Sequence, residues 1–434
     1  MIVAHGVGQV YELPIPLYLY LLAAAATVAA SFAIRMMSAG ARLLPDERRL
    51  LSERGARVVM TVLRVVALAT LGLALISGLV VRETGATFTT FSFWVGLIVG
   101  TIVLQVIMSG VWQAADPWAS IERFYRIDEG DERSHSKVRA FPWWIGPGLL
   151  YGLFWFELVS GAGFDSFWVV AVLIGYSVGT LILRSPLGRS WERVDPLSIL
   201  FGFAGRPSPL RLAPEGIFYR GPMRGLEEPG PMPLALYASV FVLLASTTFD
   251  NLSETVGWTN FLDSTGLDSL PGLLVDTVAL GALALPFYAS FLIVMEVARR
   301  SLGDGLGLHD LARRFGWSLV PIGVAYVLAH NAPLLITGVP ELIRLLSDPF
   351  EQGWNLLGTG HLFEGFVASP RFVWFLEIAI IVVGHVTGVL AAHRAAVRVA
   401  PAHDRAVRSE YALTALMSLY TITTLWLLAQ PLVT

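Results

Sequence analysis

The chain alternates long apolar runs with short polar connections, and the runs have the length that crosses a bilayer. They occupy 16–37, 58–80, 91–112, 142–159, 167–183, 232–249, 272–298, 312–337, 371–396 and 410–429. A helix rises about 1.5 Å per residue, so runs of roughly 17 to 25 residues match a hydrocarbon layer about 30 Å thick. The pattern predicts an all-α fold, a polytopic transmembrane helix bundle of about ten spans. The runs at 142–159 and 167–183 are short and joined by a turn holding Gly161 and Gly163, which reads as a helical hairpin, tilted or partly re-entrant. The N-terminal segment lacks the basic region of a signal peptide, and the first run is long enough to be retained as a span.

The polar connections set the orientation. Arg42, Arg48, Arg49, Arg54 and Arg57 share one connection; Arg123, Arg126, Arg133, Lys137 and Arg139 share another; Arg184 through Arg224 fill a third. Arg299, Arg300, Arg313 and Arg314, then Arg394, Arg398, Arg405 and Arg408, mark the later ones, whereas the intervening loops hold little beyond Arg82, Arg344 and Arg371. Basic loops resist translocation, so these connections are cytoplasmic, the number of spans is even, and both termini lie on the outer side. The outer loops carry Asp250, Glu254, Asp263 and Asp268, and then Glu341, Asp348, Glu351 and Glu364. They read as a solvated outer face, with cation recruitment as the alternative.

Composition agrees and excludes several chemistries. The 434 residues are 55% hydrophobic and 15% charged, which a water-soluble core cannot hide. The absence of cysteine excludes disulfides, thiolate metal sites and cysteine nucleophiles. A net charge of −3 argues against a nucleic-acid partner. Lys137 is the only lysine among many arginines, a coding bias that points to a GC-rich prokaryote and hence to a prokaryotic plasma membrane. No G-x-x-x-x-G-K-[ST] loop occurs, and Gly303-Asp-Gly-Leu-Gly307 lies between spans without the G-x-G-x-x-G spacing, so no nucleotide-binding motif is present.

Two cytoplasmic exits share the string W-x3-D-P, at Trp112 to Pro117 and at Trp191 to Pro196. Asp116 and Asp195 suit the N-cap and Pro117 and Pro196 the first helical turn, so each string is read as a structural cap, whether or not it records a repeat of helix pairs. The segment 205–231, rich in Pro, Gly and Arg, reads as a cytoplasmic linker between half-bundles 1–204 and 232–434 of about five spans each.

Polar groups inside spans are costly to place against lipid, which makes Gln105, His330, Asn331, Glu377 and His385 candidates for an intramembrane site. Arg64, Glu296 and His393 lie nearer the cytoplasmic ends, where they anchor or pair. Pro333 follows His330 and Asn331 closely and predicts a broken helix that lines a cavity. His385 is flanked by Gly384 and Gly388, which let a neighbouring helix approach. Metal ligands must lie about 2 Å from the ion. Glu377, His385 and His393 are spaced eight residues apart, or about 12 Å along a helix, so a divalent metal would need His330 and His385 to converge across helices, supplemented by His5, His361 or Glu364. The simpler reading is neutral histidines bonded to neighbouring helices. Neither an H-E-x-x-H nor a convincing G-x-S-x-G motif occurs.

Ala4-His5-Gly6 with Leu13-Pro-Ile-Pro16, the run Ala325 to His330, Ser347-Asp348-Pro349, Gly384-His385-Val386 and Arg408-Ser-Glu-Tyr411 together resemble a prokaryotic polytopic membrane family often labelled fenitrothion hydrolase. The resemblance spans most of the chain in short motifs. It implies an organophosphate-ester hydrolase in which His5, His330 and His385 hold a metal or act as base, the metal activating water and polarising the phosphoryl oxygen. The dense His and Asp clusters of soluble phosphotriesterases are missing. Three function classes follow: a transporter or permease for a small solute or metal ion, which the half-bundles and broken helix favour; an outward-facing membrane metallohydrolase; and a non-catalytic partner of other membrane subunits, suggested by Trp-rich helix surfaces.

Overall fold

In a medium without water, each backbone N–H and C=O must find its partner within the segment, so long apolar runs become helices. The computed structural model describes residues 18, 21–22, 26–27, 47–125, 142–227, 230–302, 305, 307–361, 369–400 and 402–430. Six of its helices are long and apolar enough to cross a membrane: Glu53–Val80, Phe88–Ile107, Ser166–Leu187, Leu234–Ser253, Gly272–Leu302 and Pro370–Val399. A seventh is added if the bent pair Leu308–His330 and Ala332–Ser347 counts as one span. The framework is all-α and compatible with a multi-pass membrane protein. Of the other expected spans, 142–159 falls on the shorter helix Ile145–Leu158 and 410–429 on His403–Leu428, while 16–37 lies largely outside the described residues.

The described residues form two compact units, those within 45–222 and 333–369 in the first and those within 7–44, 223–332 and 370–434 in the second. The first contains Glu53–Val80 (α1), Ile145–Leu158 (α2), Ser166–Leu187 (α3) and Pro196–Gly205 (α4). One side of α1 exposes Val58, Val62, Val65, Val66, Ile76 and Leu79, the face an acyl chain would cover. Its other side meets α3 at Gly78, where a Cβ would fall 2.2 Å from the Val170 side chain.

A small sheet also belongs to this unit. Arg48–Leu51 (β1), Met108–Ser109 (β2), Leu210–Ala213 (β3) and Gly216–Tyr219 (β4) pair in the order β1-β4-β3-β2, with β3 and β4 an antiparallel hairpin and β2 parallel to β3. The hairpin lies within 205–231, the segment read from sequence as a linker. Its Leu212 and Ile217 pack with Ala56 and Ala114, which gives the stretch an apolar anchor among its Pro, Gly and Arg. Gly110, at φ +89°, is required beside it because a Cβ there would lie 2.1 Å from the Leu212 carbonyl oxygen.

The second unit is built on Leu234–Ser253 (α5), Ala284–Leu302 (α6), Val320–His330 (α7), Pro370–Val399 (α8) and His403–Leu428 (α9). Gly384 and Gly388 let α8 lie directly on α7, since a Cβ at Gly384 would fall 2.2 Å from the Ala325 methyl group. Ala329, Ile381 and Leu425 close a core between α7, α8 and α9. The Ser290 and Tyr420 hydroxyls, 2.7 Å apart, link α6 to α9.

Candidate functional site

The last turns of α5 read Ser-Thr-Thr-Phe-Asp-Asn, and Ser246, Thr247, Thr248, Asp250 and Asn251 are all buried. Most of these groups turn back onto their own helix: Thr247 Oγ1 donates to the Leu243 carbonyl at 3.1 Å and Asn251 Nδ2 to the Thr247 carbonyl at 2.9 Å. Asp250 instead reaches across to α7, where His330 Nε2 stands 2.5 Å from its Oδ2. Such a pair is short and charge-assisted when the imidazole is protonated.

His330 is held by the way α7 ends. Asn331 closes the helix, its backbone N–H and side-chain Nδ2 bonding to the Val327 carbonyl at 3.1 and 3.0 Å. Tyr326, one turn earlier, points its phenol toward Asp250, Thr248 and Asn251. On α8, buried Glu377 lies close enough to attract His330 electrostatically. The cluster thus holds a carboxylate on each of α5 and α8 and one imidazole on α7. With both carboxylates ionised and the imidazole protonated it would keep one uncompensated negative charge, which an apolar interior disfavours strongly. Its charge balance leaves capacity for one further proton.

His385 is placed differently. Its Nδ1–H donates to the Ile381 carbonyl at 2.9 Å, the ring is 1% exposed, and Nε2 has no hydrogen-bond partner. His330 and His385 therefore engage separate partners. Among the described residues no three His, Cys, Asp or Glu side chains form a group that could hold a metal ion. His361 is an exposed residue of the first unit, and His5 and Glu364 lie outside the described residues. Gln105, also in the first unit, donates through Nε2 to the Phe201 carbonyl at 3.2 Å, joining its helix to α4.

Comparison with protein families, curated proteins and solved structures gave no match.

The first unit also buries charge, around its two D-P strings. Asp116 accepts from the Ala119 N–H at 2.9 Å and from Arg184 at 2.5 Å, and Arg184 also reaches Glu122 at 3.3 Å. Asp195 accepts from the Ser198 N–H at 2.8 Å and the Tyr176 hydroxyl at 2.6 Å. Trp118 Nε1 donates to Ser177 at 2.8 Å. One helix, α3, therefore supplies Tyr176, Ser177 and Arg184 to both strings. Burial pushes the Asp195 carboxyl above the usual carboxylate range, against the opposing bonds from Ser198 and Tyr176.

Sequence reasoning named His330, Asn331 and Glu377 but placed Asp250 among outer-loop acids. The available signal was the polar pairs Thr247-Thr248 and Asp250-Asn251, either side of Phe249 at the end of an apolar run, which prolong the helix rather than leaving it.

Proposed function

We propose that the chain is a multi-pass membrane transporter, about ten helices threaded with both termini outside, in which Asp250, His330 and Glu377 bind and release a proton as a small solute or metal ion moves. The observation that carries this reading is the 2.5 Å contact between Asp250 and His330, with a second buried carboxylate in electrostatic reach. Ionisable groups are retained inside apolar bundles where their charge is used, and proton relays of acids and imidazoles are a common use. The break after His330 suits it further, because the end of a helix leaves carbonyls that a passing cation or water can meet.

The test is uptake of radiolabelled divalent cations and small organic anions into proteoliposomes under an imposed pH gradient. D250N and H330A should each cut any gradient-driven uptake about a hundredfold while inserting normally. Uptake that survives both substitutions would refute the assignment.

The same pair also favours the hydrolytic reading, because a carboxylate on an imidazole is the arrangement that orients a general base. On that reading, suggested by the family resemblance, purified protein hydrolyses fenitrothion and H330A does not.

A further inference from the structure

The second unit contains another buried acid and imidazole pair. His393 Nδ1 stands 3.1 and 3.0 Å from the two carboxylate oxygens of Glu410, which is 1% exposed, and the exposed His403 ring packs edge-on against His393 with centroids 6.3 Å apart. His393 and Glu377 are both on α8, sixteen residues apart, which corresponds to about 24 Å, most of a hydrocarbon layer. Midway along the axis, and turned about 80° around the helix from each, is His385, buried, with an Nε2 that accepts from nothing. Its Nδ1–H is committed to Ile381, so Nε2 carries the lone pair. A buried polar atom without a partner needs an explanation, and a proton acceptor halfway between two acid and imidazole pairs has one.

We propose that α8 carries protons through the second unit, from the cluster of Asp250, His330 and Glu377 to the pair of His393 and Glu410, with His385 Nε2 as the intermediate acceptor. The proposal rests on the site reading above and adds a route and a second end to it. In each transfer a proton binds the Nε2 lone pair to give an imidazolium and the same proton leaves toward the other end, so the ring returns to its neutral form with Nδ1–H still on Ile381. The gaps of about 12 Å exceed a hydrogen bond and require hydroxyls and water. Buried Thr421 and Thr424 lie in the turn before Leu425, which packs on Ile381; the Thr421 hydroxyl donates to the Met417 carbonyl at 2.8 Å and can still accept, and Nε2 offers a water one of the polar partners it needs.

In the stretches of α7 and α9 beside His385 the charged and titratable surroundings are Tyr326, His330 and Tyr420, the last engaged with Ser290. Near His393 they are Glu410, His403 and Arg394, which is 2.6 Å from Glu227, with Arg398 at 3.5 Å from the same carboxylate. The helix Leu308–Phe315 also packs on α8 and brings His309, Asp310, Arg313 and Arg314, and the first turns of α9 carry Asp404, Arg405 and Arg408. The transient imidazolium at His385 thus has no carboxylate bonded to it, which makes that step the barrier and the position most sensitive to substitution.

The experiment uses the full chain in liposomes loaded with a pH-sensitive dye, with proton entry driven by a potassium diffusion potential. Wild type should acidify the lumen faster than protein-free liposomes. H385A and H385N should slow this flux by about tenfold or more, H385N being the milder variant that keeps a donor toward Ile381. E410Q should slow it by a comparable factor, and V383A, on the exposed side of α8, should leave it unchanged. The proposal is overturned if wild-type flux equals that of empty liposomes, or if folded H385N conducts like wild type. Imidazole NMR separates this from the site reading: a His330 titration that responds to D250N, together with flux indifferent to H385N, removes the route alone, whereas a His330 titration unmoved by D250N removes the site as well.

Discussion

The two units bury charge in opposite ways. In the first, Asp116 and Asp195 each receive a backbone N–H and a side-chain donor, and one helix, α3, supplies the side-chain donors to both. In the second, His330 has Asp250 at bonding distance and Glu377 only within electrostatic reach, and His385 keeps an unbonded nitrogen. Saturated groups of the first kind fix helix ends and resist change. Groups of the second kind retain capacity for a proton, which is what a site that changes charge requires. Burial alone does not distinguish a scaffold from a site, nor does an unpartnered neutral atom, since Gln105 Oε1, Thr180 Oγ1 and Trp191 Nε1 of the first unit are also unpartnered; uncompensated charge capacity does.

Arg184→Ala leaves Asp116 buried without its cation, and thermal denaturation in detergent should show a loss of about 3–5 kcal/mol, because an uncompensated buried charge costs far more than a pair contributes. A shift within experimental error would show that the first unit is not saturated in the sense argued. Asp250→Asn should reduce gradient-driven uptake about a hundredfold, equivalent to about 2.7 kcal/mol of barrier, with little change in melting. A large loss of stability with transport intact would make the second cluster scaffold too.

Asp195→Ala removes the cap of α4 and the acceptor of Tyr176, for about 0.5–2 kcal/mol. Asp195→Asn retains a capping oxygen and should show the smallest effect, and a pH-dependent one. Burial raises this carboxyl in the folded state, so the folded protein binds the proton more tightly than the unfolded chain. The resulting stability is fully present below the unfolded value of about 3.9 and is lost as pH rises through the folded one. D195N should therefore gain on wild type as pH rises above about 4, with no relative gain below, measured by melting across the pH series. A flat difference would mean that Asp195 titrates alike in both states.

Much of the helical framework was legible in the chain because length and hydrophobicity are local: α1, α3, α5 and α8 each coincide with an apolar run. The hairpin of β3 and β4 was not, since four-residue strands among Pro, Gly and Arg have little periodicity and are fixed by packing on Ala56 and Ala114. The site was legible in part. His330, Asn331 and Glu377 stand out as polar residues in apolar company, whereas Asp250 follows its apolar run and is indistinguishable from a loop acid until α5 is seen to continue through it. Similarly, the two D-P strings are visible in the sequence, but their common attachment to α3 is not.

By itself, then, the sequence determined the apolar helices, the basic and acidic alternation of their connections, and which side chains would be expensive to bury. Only the tertiary structure decided that Asp250 rather than His385 meets His330, that Glu410 meets His393, and that His385 keeps a vacant lone pair. The reason is one of range: hydrophobic length and helix-end chemistry act over a few neighbouring residues, whereas the partner of a buried charge is chosen by helices that meet far apart along the chain.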